Sequence, residues 1–214
     1  MAAILDTIIS VWTTHQITLR TIQHLQMFSI ALAISIIIGV ALAILVYSNP
    51  RLANVWFNVL NIIETIPELA LFIFLLPILG LGEKPTIVAC ILYSILPIMR
   101  NAYTGLAHVS NEYIEIAKAI GLTKNEILLK IRLPMALPLI SSGIRVAVVY
   151  IMGIVTLGGL IAAGGLGVPL QAGIYRYDIP AIIIAALWVG TLGVIFDFIA
   201  WVIESRLARR FNPW

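Results

Sequence analysis

Twenty-one consecutive residues, Met27 to Tyr47, carry no charge. As an α-helix the run would be about 31 Å long, close to the hydrocarbon core of a bilayer at about 30 Å. This restricts the chain more than any motif does. In lipid each backbone N–H and C=O must find a partner inside the protein, so such a run has to be helical. Four more apolar runs follow, from about Val55 to Leu81, Thr86 to Tyr103, Leu139 to Ala163 and Ala181 to Ile203. The chain is 61% hydrophobic and 11% charged, whereas a soluble domain carries about 25% charge. The expectation is an all-α membrane protein with five transmembrane helices.

Residues 1–26 read as an N-terminal interfacial segment. Ile4, Leu5, Ile8, Ile9, Val11 and Trp12 form one apolar side, and His15, Arg20 and His24 keep the segment from spanning. The two histidines are expected at the surface or interface, with no further ligands for a metal. No Lys or Arg precedes Arg20, so the first apolar run is expected to stay as a membrane helix and not to be removed as a signal peptide. Residues 27–205 form the transmembrane domain and 206–214 a tail. Cys90 lies in an apolar run and has no partner cysteine, so a packing role is expected.

One polar stretch interrupts the apolar pattern, Asn111 to Pro138. Placing it in the cytoplasm puts 48–54 and the C-terminal tail inside, and the N-terminus, 82–85 and 164–180 outside. Arg51, Arg100, Lys118, Lys124, Lys130, Arg132, Arg145, Arg206, Arg209 and Arg210 then lie inside or at inner helix ends, against Arg20, Lys84 and Arg176 outside. Ten against three is the bias that basic residues show toward the cytoplasm.

Within the stretch, Ser110 is an N-cap for a helix over 111–120, with Glu112 in its first turn. Gly121 ends that helix. Thr123 to Glu126 is a capping-box pattern opening a second helix, and Pro134 and Pro138 are expected to break the chain before the next span. The outcome is helix, glycine elbow, helix. Ile114, Ala117 and Ile120 line one apolar face, Ile127, Leu128 and Ile131 the other. Small residues such as Ala117 and Ala119 would let another surface approach closely.

Charges inside apolar runs are costly, about 2.5–3.5 kcal/mol each on insertion scales, so Glu64, Glu68 and Asp197 need a role. Glu64 and Glu68 are four apart, which on an unbroken helix puts them on one face, with a kink invited by Pro67. Either they and Asp197 pack helices together or they line a translocation path. Tyr93, Tyr150 and Trp188, with Trp201, are candidates for an aromatic cage around a quaternary amine; packing is the alternative. The loop Gly164 to Gly167 reads as a tight turn or short re-entrant segment.

Glu115-x-Ala117, Gly121, and then Ile131-x-Leu133-Pro134 at a spacing of nine resemble the EAA loop of bacterial ABC importer permeases. Ile116 stands where that pattern has its first alanine. The segments 66–71, 92–101, 136–138, 143–145 and 163–167 extend the resemblance, over roughly residues 25–205, to permeases of osmoprotectant importers that handle glycine betaine, carnitine and choline. The resemblance implies a type I, methionine-permease-like core of five helices in a bacterial cell membrane, N-terminus outside and C-terminus in the cytoplasm. It also implies a dimer of permeases, two cytoplasmic ATPases that bind ATP and magnesium, and an external substrate-binding protein. Glu115, Ala117 and Gly121 would then couple the permease to the ATPase, with Ile131, Leu133 and Pro134 shaping the return. The chain itself has no GxxxxGK[ST] loop, no HExxH and no GxSxG, so no catalytic residue, bound cofactor, metal or nucleic-acid partner is expected of it. The alternatives are an importer permease for another small solute, such as an amino acid, and an ion-coupled secondary transporter.

Overall fold

The first apolar run does not begin its helix at Met27. The computed structural model describes residues 2–211. In it a short helix α1 (Ala2–Thr14) turns through Gln16, which is left-handed at φ 51°, into α2 (Ile17–Val46). The Trp12 indole N–H donates to the Thr18 hydroxyl across this corner at 2.9 Å. Thus residues 17–26 are helix continuous with the span, about 45 Å in total. Gln23 in this stretch has a partner across the chain: its amide oxygen accepts from the Gly165 N–H at 3.2 Å. His24, expected near a surface, is wholly buried. Hydropathy reports contact with lipid; helix length here is set by contact with the rest of the chain.

Asn49 caps α3 (Pro50–Thr65), its side chain accepting from the Leu52 N–H at 3.2 Å, with Pro50 at the first position. The second expected span then breaks. Ile66 is extended, Pro67 has no N–H to give, and α4 (Glu68–Leu79) leaves at 96° to α3. The Tyr93 hydroxyl donates to the Ile66 carbonyl that the break frees. Among the described residues four continuous helical segments are long and apolar enough to cross a membrane, and the bent pair makes a fifth when taken as one span. Glu64 and Glu68 therefore do not share a helix face. They sit half-buried on either side of the break, Glu68 in the first turn of α4, where the helix dipole favours an acid.

The centre of the bundle is α5 (Glu83–Ala107), packed between α2 and α8 (Leu133–Leu157). Close approach is made by small residues. A Cβ on Gly143 would lie 2.7 Å from the Pro97 carbonyl oxygen, and one on Gly105 would lie 2.8 Å from the Ala136 Cβ. Cys90 is buried in the core beside Ala89 and Tyr93.

Helices α6 (Asn111–Ala119) and α7 (Lys124–Ile127) form the elbow. Contrary to expectation, Pro134 and Pro138 break nothing. A wide π turn over Leu128–Arg132, with the Leu133 N–H reaching back to the Leu128 carbonyl, leads directly into α8. In a regular helix the Pro134 ring would strike the carbonyl four residues back; the wider turn gives it room. Lys124–Ile161 is consequently one helical body of 38 residues, ending in a 3₁₀ turn at Gly158–Ile161. The glycine loop is followed by its own helix, α9 (Gly167–Arg176), and α10 (Ile179–Phe211) absorbs the expected tail up to its last described residue.

Loops assigned to the same side in the topology lie at the same end. At one end the Gly82 N–H donates to the Ile161 carbonyl at 2.9 Å, Gln23 holds Gly165, and His15 meets Asp178 at 3.4 Å. At the other, Arg132 donates to the Leu106 carbonyl and stacks 5.3 Å from the Tyr47 ring, and Phe211 shares a cleft with His108 and Tyr113.

Candidate functional site

Local chemistry builds the elbow. The Ser110 hydroxyl accepts from the Glu112 N–H at 3.4 Å at the start of α6. At its end the Gly121 N–H bonds the Lys118 carbonyl and the Leu122 N–H the Ala117 carbonyl, at 2.9 and 3.0 Å. That is the paired closure of a Schellman motif, and it puts Gly121 at φ 86°, a region open to glycine. Thr123 and Glu126 then form a complete capping box.

Val109, Ile114, Ala117 and Ile127 close into a small core of their own with Leu122, Ile131 and Met135. Ala117 is only 2% exposed, so its small side chain serves packing inside the elbow and does not meet an outside surface. Glu115, Ala119 and Gly121 are exposed, and so, unusually, are two isoleucines: Ile116 at 54% and Ile120 at 72%. Ile120, expected on the inner face, points outward because Gly121 turns the chain there. The elbow thus presents Glu112 and Glu115 beside two exposed isoleucines on a surface that no other described residue covers.

Ile131, Leu133 and Pro134 lie half-buried on the π turn and the start of α8, where Ile131 packs on the elbow core and Leu133 on the bundle core. Arg132 anchors the same turn to α5; sequence spacing gives no sign of this. Lys130 pairs with Glu126 at 2.9 Å, an i,i+4 pair readable from sequence. Lys130 first, then the Thr123 N–H and hydroxyl, hold the Glu126 carboxyl down to about 2 from an ordinary 4.5. A depressed acid stabilises the fold at pH above its ordinary value, and that contribution is lost as pH falls from 4.5 through about 2. An NMR titration of the Glu126 carboxyl is expected to show a midpoint near 2, moving back toward 4.5 when Lys130→Met and Thr123→Val are combined.

The other candidate residues lie apart from the elbow. Asp197 receives two hydrogen bonds from Arg145, at 2.6 and 2.9 Å, and Glu204 a third at 3.5 Å, tying α8 to α10. Arg145 sits near the middle of its helical body and not at an inner helix end. Setting it aside, ten less one leaves nine basic residues against three. Tyr93, Tyr150 and Trp188 do not form a cage within the chain. Tyr93 bonds to Ile66, the Trp188 indole bonds to the Thr21 hydroxyl at 2.9 Å and packs edge-on to Trp12 at 5.2 Å, and Tyr150 is exposed. Trp201 packs against Phe198. Among the described residues no three His, Cys, Asp or Glu side chains gather into a group that could hold a metal ion.

The family described as "Binding-protein-dependent transport system inner membrane component" matches residues 35–209, which include the whole elbow. The chain is 36% identical to the choline transport system permease protein OpuBB of Bacillus subtilis, over 88% of this chain and 87% of that one. It is 37% identical to the glycine betaine/carnitine/choline transport system permease protein OpuCB of the same organism, over 88% and 87%. It is 38% identical to the osmoprotectant import permease protein OsmW of Salmonella typhimurium, over 84% and 86%. Among solved structures, the inward-facing MetNI methionine ABC transporter matches with a TM-score of 0.79 at 22% identity, over 90% of this chain and 96% of that one. That last likeness is one of fold.

Proposed function

Since the chain belongs to the binding-protein-dependent transport system inner membrane component family, and is therefore a multi-pass permease subunit of an ABC importer and not itself an enzyme, we propose that its cargo is a quaternary-amine osmoprotectant. Glycine betaine, carnitine and choline are the solutes named for relatives at 36–37% identity over 88% of the chain, and a third relative at 38% is named for osmoprotectant import. The methionine transporter supports the fold only.

In this reading two permeases form the path, with the N-terminus outside, the C-terminus in the cytoplasm and residues 27–205 as the translocation domain. Two cytoplasmic ATPases bind ATP and magnesium, and an external protein delivers the solute. The single observation that supports the ATPase contact is the elbow surface: exposed Glu115, Ile116 and Ile120 on a unit with its own core and a cap at each helix start. Its displacement passes into α8, because α7, the π turn and α8 are one helical body. The permease does no bond chemistry; nucleotide binding biases which of two packings it adopts.

The test is uptake by vesicles holding the permease, its ATPase and its binding protein. Labelled betaine, carnitine or choline should enter only with ATP at the ATPase side. Uptake driven by an ion gradient without ATP would replace this reading with the secondary-transporter one. Selection of an amino acid over all three solutes would correct the cargo.

A further inference from the structure

At the end of the bundle away from the elbow lies an open cleft of about 530 Å³, within the range of small-molecule sites. Its walls come from four separate parts of the chain: Arg20 and Gln23 on α2, Glu83 at the start of α5, the turn through Gly159 to Gly164, and Gln171 on α9. The Arg20 guanidinium donates to the Gln23 amide oxygen at 3.0 Å, and that oxygen also accepts from the Gly165 N–H. Arg20 is thereby fixed in place, yet its Nε is buried without a partner. Glu83 lines the same cleft with no hydrogen-bond or ion-pair partner among the described residues, and the two charges do not pair. Below Gly165 lies His24, buried with both ring nitrogens unpartnered. A single held cation and a single free anion in one cleft suit a small molecule that carries both signs.

We propose that this cleft binds a small zwitterion, a carboxylate joined to a quaternary ammonium, with Arg20 taking the carboxylate and Glu83 facing the ammonium. The choice of ammonium rests on the osmoprotectant reading. Glycine betaine and carnitine carry both groups; choline carries only the cation. Arg20 therefore separates the two kinds of solute, and Glu83 serves both.

Equilibrium retention of labelled glycine betaine and of labelled choline by the assembled permease–ATPase complex tests this, with the binding protein left out because it binds the same solutes. Arg20→Gln is expected to weaken betaine by about tenfold, the loss of one charge-assisted hydrogen bond, and to leave choline unchanged. Glu83→Gln should weaken both by a similar factor. Equal loss of both solutes in Arg20→Gln, no loss of either, or no saturable betaine retention by the unaltered complex would each overturn the site. If Arg20→Gln does not assemble, Glu83→Gln decides, since only a bound ammonium makes both solutes respond to it. Loss of binding-protein-stimulated uptake with retention intact would also overturn it and make Arg20 a docking residue. Uptake measured in parallel separates the two readings: Arg20-dependent retention without osmoprotectant uptake defeats the cargo assignment alone, and uptake without that retention defeats the site alone.

Discussion

Aspartate at both Ile116 and Ile120 is expected to abolish ATP-driven uptake while leaving the membrane helices in place. Both side chains are exposed, and neither belongs to the elbow core. Their replacement removes no residue of that core. Covered by a partner, each isoleucine contributes about 1.5–3 kcal/mol. Losing two costs about 3–6 kcal/mol, or about two to four orders of magnitude in affinity for the ATPase. Co-purification of the ATPase measures this directly, with thermal melting of the permease as the control. An ATPase that still co-purifies, and is still stimulated, would mean that the motor grips the permease somewhere else.

Alanine at Gly167 is expected to act on folding itself. A Cβ there would lie inside the van der Waals surface of the Thr156 carbonyl oxygen and 3.0 Å from the Gly159 Cα. Both obstacles are backbone, so neither can swing aside as a side chain would. Overpacking typically costs about 1–3 kcal/mol, and this position belongs at or above the top of that range. The matched control is Gly153→Ala in α8, where nothing lies within 4 Å of the new methyl. There alanine gains up to about 1 kcal/mol of helix propensity. Expression level and melting temperature in detergent should fall sharply for the first variant and hold or rise for the second. Equal behaviour of the two would show that the turn at Gly158–Ile161 can separate from α9.

What was legible in the sequence was chemistry that acts within a few residues. Ser110, Gly121 and the Thr123–Glu126 box each satisfy backbone groups beside them, so their pattern alone marks the elbow. Pro67 announces a kink, but not one of 96°, because the carbonyl it frees, that of Ile66, is taken up by Tyr93, twenty-seven residues after Ile66. The helix α2 starts ten residues before the apolar run for a related reason. Gln23 and His24 look like residues that end a membrane span, yet their surroundings are supplied by the loop around Gly165. Asp197 was visible as an anomaly; that Arg145 answers it, 52 positions earlier, was not. Pro134 reads as a breaker only where an α turn precedes it, and the chain makes a π turn there.

The uninterrupted body from Lys124 to Ile161 is about 57 Å long, and near its midpoint Gly143 is pressed against the Pro97 backbone. Tilted as a rigid beam about that contact, it would act as a seesaw. A push on the tip at α7 would then arrive at the tip beside the Arg20 cleft reversed in sense. Such a beam cannot tilt both tips outward together, so the two mouths of the path would be kept from opening simultaneously by rigidity alone, with no separate timing of an upper and a lower gate.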